Sequence, residues 1–209
     1  TLTLLEASLA IPYDLFVNIG SSAEYGMKRR PMNEHDLLEP QSVYAATKAS
    51  GTLLSQVFAN LYDKPIVTLR PFSVYGPNEE LFRFIPTVIG SILKGESIRL
   101  TKQTLRHDFV YIDDMVDACM AALKKGQKLK GKICNVGTGI EYTNTQVVGI
   151  LFQIAGKTVP IEEGSYEKRS WDSPHWVADI LRAKRILGWQ ARTSFTKGLG
   201  QTYEWMKTL

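Results

Sequence analysis

Tyr44 and Lys48 stand four residues apart in Tyr44-Ala45-Ala46-Thr47-Lys48, a run of good helix formers. Positions i and i+4 share one helix face, so the Lys48 ammonium can lie beside the Tyr44 ring and favour phenolate over phenol. A tyrosine in that setting is a general acid/base. About twenty residues earlier, Ser21-Ser22-Ala23-Glu24-Tyr25-Gly26 directly follows the apolar run Leu15–Ile19. Ligands of open α/β sheets bind outside the carboxyl ends of the strands, where such hydroxyls can donate to a substrate oxygen. Hydroxyl, tyrosine and lysine are the parts needed to move a proton off an alcohol as hydride leaves. Each motif alone is ordinary: Ser-Ser before Tyr-Gly is turn chemistry, and Tyr/Lys pairs occur on many helix surfaces.

The elements that must position these groups follow from periodicity. Leu2, Leu4, Leu5 and Leu9 form a short helical stripe ended by Pro12, and Leu15 to Ile19, closed by Gly20, reads as a buried strand. Ser42 caps a predicted helix from Val43 to about Tyr62, and Ile66 to Leu69 is a second β-branched run closed by Arg70-Pro71. Strand, helix, strand means a parallel βαβ unit with a right-handed crossover, which brings serines and tyrosine to one end of a sheet. Beyond the loop chemistry of Tyr75-Gly76-Pro77-Asn78, strands are expected at Ile98–Leu100, Phe109–Ile112 and Ile133–Val136. Helices are expected over Phe84–Leu93, Asp114–Leu123, Thr143–Ala155, Val177–Leu187 and Thr196–Met206, with Gly156 and Gly188 as C-cap glycines. No repeat or long linker interrupts the chain, so a second domain has to be woven into the first.

At 209 residues the chain can bury about 70% of its unfolded surface. Hydrophobic residues make up 44% and charged residues 22%, which excludes wholesale disorder. No apolar run approaches the roughly 18 residues of a transmembrane helix, so no membrane partner is expected. The net charge of +4, from 25 Lys and Arg against 21 Asp and Glu, is small and scattered. It suits an anionic small molecule and announces no nucleic-acid partner. Cys119 and Cys134 have neither CxxC spacing nor a histidine cluster, so no disulfide framework or metal site is expected and the compartment reads as cytoplasmic. The first ten residues carry Glu6 and no basic stretch, unlike a signal peptide. With no initiator Met, the sequence is expected to start inside a larger protein.

Later residues complete a pattern. Ser21-Ser22, Tyr44-x-x-x-Lys48 and Arg70-Pro71-Phe72-x-x-Tyr75-Gly76-Pro77 are followed by Asp108-Phe109-Val110-Tyr111-Ile112-Asp113-Asp114 and Asn135-Val136-Gly137-Thr138-Gly139. Ala178-Asp179 and Leu187-Gly188-Trp189 come after them. This series resembles the extended short-chain dehydrogenase/reductase family, the NAD-dependent nucleotide-sugar epimerases, dehydratases and ketoreductases. The similarity covers essentially all 209 residues. It implies an α/β fold: the C-terminal part of a doubly wound, Rossmann-like parallel sheet with an interwoven smaller α/β substrate-binding domain. Residues 1–72, with 108–142 returning, are expected in the Rossmann-like part, and 73–107 with 143–209 in the substrate-binding part. The family opens with a strand, a Gly-rich turn and a helix that holds the dinucleotide pyrophosphate, and no such fingerprint occurs here. Gly137-Thr138-Gly139 lacks a third glycine at the required spacing and reads as a family loop. Three missing βα units of about 30 residues each would account for roughly 90 residues. The chain then looks like the C-terminal two-thirds of an enzyme, inactive alone, with the NAD (or NADP) pyrophosphate site outside it.

The resemblance also assigns residues. Ser21 and Ser22 are the catalytic hydroxyls, Ser21 at the place that polarises the sugar C4 oxygen. Tyr44 is the catalytic base, and Lys48 binds the nicotinamide ribose. Tyr44, Lys48, Pro71 and Phe72 meet the cofactor, while Ser73, Asn78, Arg106, His107 and Arg169 meet a nucleotide-diphosphate sugar. Guanidinium groups suit the diphosphate because they make paired hydrogen bonds to it. The family's arginine before Asp-Phe is His107 here, with Arg106 one residue earlier, and Arg169-Ser170-Trp171-Asp172 matches a second arginine segment. Ser73 replaces a frequent Asn. Dehydratases of the family carry an acid pair just after the hydroxyl, whereas this sequence has Ser22 and Ala23, with Glu24 one residue further on. That puts epimerisation first, keto-reduction second and dehydration behind both. A non-catalytic binding module of the same fold is the rival from another class. Family members commonly dimerise through two helices per subunit, corresponding to Thr1–Ala10 and Val43–Tyr62. Leu54, Val57, Phe58 and Leu61 give the second helix an apolar stripe for a homodimer, unless it packs on its own sheet.

Overall fold

In the computed structural model, which describes residues 1–101, 105–166 and 175–209, the chain begins with α1 (Leu2–Ser8), β1 (Phe16–Ile19), α2 (Val43–Leu61) and β2 (Ile66–Pro71). It continues through β3 (Ser73–Tyr75), α3 (Phe84–Lys94), β4 (Ile98–Thr101), β5 (Arg106–Tyr111) and α4 (Ile112–Lys125). The last elements are β6 (Ile133–Val136), β7 (Glu141–Thr143), α5 (Asn144–Ala155), β8 (Ile161–Tyr166) and α6 (Phe195–Met206).

Ile66 to Arg70 are all buried, as expected of a parallel strand covered on both faces. β2 is accordingly the centre of a parallel sheet ordered β1-β2-β6, with Phe16 opposite Ile66 and Thr68 opposite Ile133. Alternation divides the strand's side chains. Val67 and Leu69 join Cys134 and Val136 beneath Met115, Ala118 and Ala122 of α4. Ile66 meets Leu5 of α1 and Phe58 and Ala59 of α2 on the other face. The Ser42 hydroxyl accepts the Ala45 N–H at 3.1 Å and caps α2 as the sequence suggests. Both cysteines are free, and burial pushes the Cys134 thiol up to about 12.

A second sheet is ordered β3-β5-β7, with β3 parallel and β7 antiparallel to β5, and β4 pairs with β8 in a third. Residues 108–142 therefore divide: β6 lies in the first sheet, while β5 and the start of β7 lie in the second. The largest core sits between α3, α5 and α6, where Ile89, Ile92, Val147, Leu151 and Leu199 are fully enclosed. The Phe195 ring stacks on Tyr142, centroids 4.2 Å apart, and on Phe109 at 5.3 Å.

Three stretches depart from the expected elements. Ile112, expected to end a strand, begins α4, because Asp113 and Asp114 belong to the first helical turn, where carboxylates are favoured. Val177–Leu187 is not one helix. Met32 pairs with Ala178 in an isolated bridge, the Met32 N–H donating to Val177 O and the Asp179 N–H to Met32 O, both at 2.9 Å. That commitment keeps 177–179 extended, and the helical part is confined to 181–187, its last five residues, Ala183–Leu187, forming a π turn before Gly188. Finally, Phe58 does not face outward: it is buried in the α1–α2–β2 core, while Leu53, Val57 and Leu61 are about half exposed or more.

Asp108 of β5 joins the two larger sheets. Its buried carboxylate accepts the N–H groups of Thr138 (2.8 Å), Gly139 (2.9 Å) and Ala178 (3.2 Å) and the Thr138 hydroxyl (2.6 Å). A Cβ on Gly137 would come within 2.7 Å of Asp108 Oδ2 and 2.8 Å of the Ala178 Cβ, so only glycine lets the loop close this tightly. Burial raises the Asp108 carboxyl above its ordinary range, against the lowering effect of these donors. Asp108→Ala is expected to lower unfolding free energy by about 3 kcal/mol or more, since it orphans three backbone donors. Urea titration checks this, and Asp108→Asn, which keeps one acceptor oxygen, should cost less.

Candidate active site

β1 ends at Ile19, and the chain turns at once into a single 3₁₀ turn, Ser22–Tyr25, capped by Ser21. The Ser21 hydroxyl oxygen accepts the Ala23 N–H at 3.1 Å, and the Ser21 N–H donates to Glu24 Oε1 at 2.8 Å. The Ser22 oxygen accepts the indole N–H of Trp176 at 2.9 Å. A hydroxyl has one proton to donate and two acceptor sites. In both serines an N–H occupies an acceptor site, which leaves the O–H for another oxygen. Tyr44 lies in the first turn of α2 with 57% of its surface exposed. One turn on, Lys48 Nζ sits 5.9 Å from the Tyr44 ring centroid and donates to the Ile19 carbonyl at 2.9 Å. Lys48 thus ties the helix carrying the phenol to the strand end carrying the serines.

A cavity of about 770 Å³ opens beside this cluster. Tyr44, Ala23, Ser73, His107 and Trp176 line it, together with Glu79, Arg83 and Arg99. Of the residues the sequence singles out, Tyr44, Ser73 and His107 share this space, and Ser21 and Ser22 adjoin it through Ala23 and Trp176. Pro71 closes β2, and Phe72 is buried against Tyr25, Met32 and Ala178. Asn78 is an exposed turn residue with φ 67°, and Arg106 Nη1 lies 3.7 Å from Glu141 Oε1; neither lines the cavity. Arg169 and Trp171 lie outside the described residues.

Sequence reading passed over Glu79, Arg83 and Arg99, which sit in a stretch without a recognisable motif. It mentioned Glu24 without a role. Glu24 is completely buried: Oε2 accepts Arg70 Nε at 2.8 Å, and Oε1 accepts the Thr52 hydroxyl at 3.0 Å besides the Ser21 N–H. Arg70 itself offered the signal, since a charged residue in a buried strand requires a partner.

The model of the NAD dependent epimerase/dehydratase family matches residues 1–137. The chain belongs to that family. A UDP-glucuronate 4-epimerase from Thermodesulfobacterium geofontis is 33% identical over 214 residues, covering 99% of this chain and 64% of the relative. The UDP-glucuronic acid 4-epimerase of Bacillus cereus, solved with UDP-glucuronic acid and NAD, superposes with a TM-score of 0.92 at 30% identity. That superposition covers 98% of this chain and 65% of the other. The dTDP-glucose 4,6-dehydratase of Bacillus anthracis, solved with NAD, gives a TM-score of 0.90 at 26% identity, over 99% of this chain and 66% of that one. The chain spans just under two thirds of the length of each of these three proteins.

Within this epimerase/dehydratase family member, polar groups collect at one end of the first sheet. The exposed Tyr44 phenol and the Lys48 ammonium stand at the carboxyl end of β1, in the crevice where ligands of open α/β sheets bind. The glycine loop after β6 does not fit a pyrophosphate, because Asp108 already takes the N–H groups of Thr138 and Gly139.

Burial pushes the Glu79 carboxyl up to about 7, partly opposed by Arg83, whose Nε lies 3.6 Å from Oε1; Oε2 has no hydrogen-bond partner. The folded protein therefore holds this proton more tightly than the unfolded chain does, and stability falls as pH rises from the ordinary carboxylate range through about 7. Glu79→Gln is expected to remove that loss, gaining on the order of 2 kcal/mol at pH 8 over its effect at pH 4. Thermal melts of both proteins across this range give the comparison; parallel curves contradict the assignment.

Proposed function

We propose that this chain forms the catalytic and substrate-binding part of a nucleotide-sugar epimerase that inverts C4 through transient oxidation, its substrate a UDP-sugar. The observation that carries this reading is the convergence of Ser21, Ser22, Tyr44 and Lys48 at the end of β1, beside a cavity sized for a small ligand. Bound NAD supplies the acceptor that takes the C4 hydride and gives it back. The Tyr44 oxygen would accept the proton of the C4 hydroxyl while the Ser21 and Ser22 hydroxyls donate to that same oxygen. Lys48 would hold the nicotinamide ribose, and it places its charge beside Tyr44. Tyr44 would then give the proton back to the same oxygen, so that an inversion at C4 would leave the protein's own groups unchanged and require no net oxidation. Arg83 and Arg99 supply cations for the diphosphate, with His107 and Ser73 as further contacts.

The relatives support NAD binding and an activity on UDP-sugars: the solved neighbours named above hold NAD, and the two epimerases named are UDP-glucuronate 4-epimerases. Dehydration is disfavoured because Ser22 and Ala23 stand where the family's dehydratases carry acids and Glu24 is sealed beneath the turn. The full-length protein, incubated with NAD and UDP-glucuronate, UDP-glucose or UDP-N-acetylglucosamine, should give the C4 epimer of one of them without accumulating NADH. Stoichiometric reduction of a 4-keto sugar would instead make it a ketoreductase, and no turnover of any nucleotide sugar would leave a binding module. Tyr44→Phe is expected to lower kcat by about 10²–10⁴-fold with little change in nucleotide-sugar affinity; equal turnover rejects Tyr44 as the base.

The same reading includes a homodimer through α1 and α2. The corrected apolar surface is Leu4 on α1 with Leu53, Val57 and Leu61 on α2, between 51% and 68% exposed. Side chains at i, i+4 and i+8 form one stripe, and soluble monomers rarely leave such a patch open. Val57→Glu is expected to convert a dimeric mass to a monomeric one by light scattering, with the fold retained; an unchanged dimer moves the interface elsewhere.

A further inference from the structure

We infer that Glu24 is a positioning residue, which locks the Ser21–Ser22 turn to the helix carrying Tyr44 and Lys48 and so sets how the serine hydroxyls meet the sugar oxygen. This rests on the reading of Ser21, Tyr44 and Lys48 as the reacting set. Glu24 is 0% exposed, so its carboxylate cannot exchange protons with a substrate in the cavity. Its two oxygens instead join three elements: the Ser21 N–H after β1, the Thr52 hydroxyl on α2 and Arg70 Nε on β2. Arg70 is anchored in turn, its guanidinium 4.7 Å from the Tyr25 ring centroid, and the Tyr25 hydroxyl donates to Asn135 Oδ1 of β6 at 2.7 Å. Burial raises the Tyr25 hydroxyl far above its ordinary range, so that link stays a neutral donor.

Gly20 makes independent room for this arrangement. A Cβ there would lie 2.4 Å from Glu24 Oε1, so the residue between β1 and Ser21 must be glycine for the carboxylate to reach beneath the turn. The Ser21 hydroxyl is oriented by the same structure, since its cap on Ala23 depends on the turn that Glu24 closes.

Two substitutions disturb the lock differently. An amide has one acceptor oxygen, so Glu24→Gln keeps the Arg70 contact or the Ser21 N–H but not both. Gly20→Ala keeps the charge pair and displaces the carboxylate. Both are to be measured in the full-length protein with NAD and its nucleotide sugar, alone and combined with Ser21→Ala. Each is expected to lower kcat about tenfold or more while KM stays within about twofold, and to add nothing further in the Ser21→Ala background. Amide exchange at Ser21, read by NMR without substrate, is expected to quicken in both. Losses that multiply with Ser21→Ala, a raised KM at unchanged kcat, or unaltered turnover overturn the proposal. Should Glu24→Gln fail to fold, Gly20→Ala and Thr52→Val carry the same criteria. Full turnover by Ser21→Ala itself rejects the reading of the serine, and this inference with it.

Discussion

The two larger sheets of this protein hold one another through the carboxylate of Asp108. It rises from β5, in the second sheet, and its acceptor positions are filled by the loop leaving β6, in the first, and by the strand-like segment at Ala178. Because Ala178 also bridges to Met32, one buried anion fixes the end of β6, the approach of the Trp176 segment and the long loop after Gly26. Trp176 then reaches Ser22. The position of a serine hydroxyl at the end of β1 thus descends from an aspartate on another sheet. A buried charge costs desolvation that only a full set of donors offsets, and that is why the loop must contain Gly137.

Glu24 and Arg70 solve the same problem differently. Asp108 is neutralised by dipoles, whereas Glu24 meets an opposite charge that shares its burial. Replacing such a pair by apolar residues can be neutral for stability, so its presence speaks more for geometry than for strength. The geometry here joins β1, β2 and α2 beneath the residues that would do chemistry. The charged lining of the cavity comes from elsewhere: Glu79 stands in the loop after Gly76, Arg83 at the head of α3 and Arg99 on β4.

Much of this was legible in the residues. The parallel β1-α2-β2 unit followed from two apolar runs around an Ala- and Leu-rich segment, and the Ser42 cap and the glycines at 156 and 188 marked helix ends correctly. β3 and β7 were missed because three residues are too few to show a period of two. The helix expected over 177–187 failed because its first residues are held by partners 70 and 146 positions away, which no local pattern encodes. Phe58 belongs to an apolar stripe in sequence but to a core in space, since its turn of α2 faces Leu5 and Ile66 rather than solvent. Of the site, the Tyr-Lys spacing and the serine turn were readable; the cations of the cavity were not, because charged residues in loops look alike until the fold brings them together.

The order β1-β2-β6 leaves β1 paired on one side only among the described strands. Its other edge turns the backbone groups of Val17 and Ile19 away from β2, the Ile19 carbonyl being taken by Lys48, and Ile19 at its end is 40% exposed. Open edges recruit strands. For these 209 residues handled by themselves, that edge is a template: another chain adding there would extend the sheet and grow by stacking copies, in competition with correct folding. A parallel neighbour on that side would remove the hazard and, in the same act, lay its own carboxyl end beside Ser21. Protection against self-association and completion of the crevice are then one event at the level of the backbone.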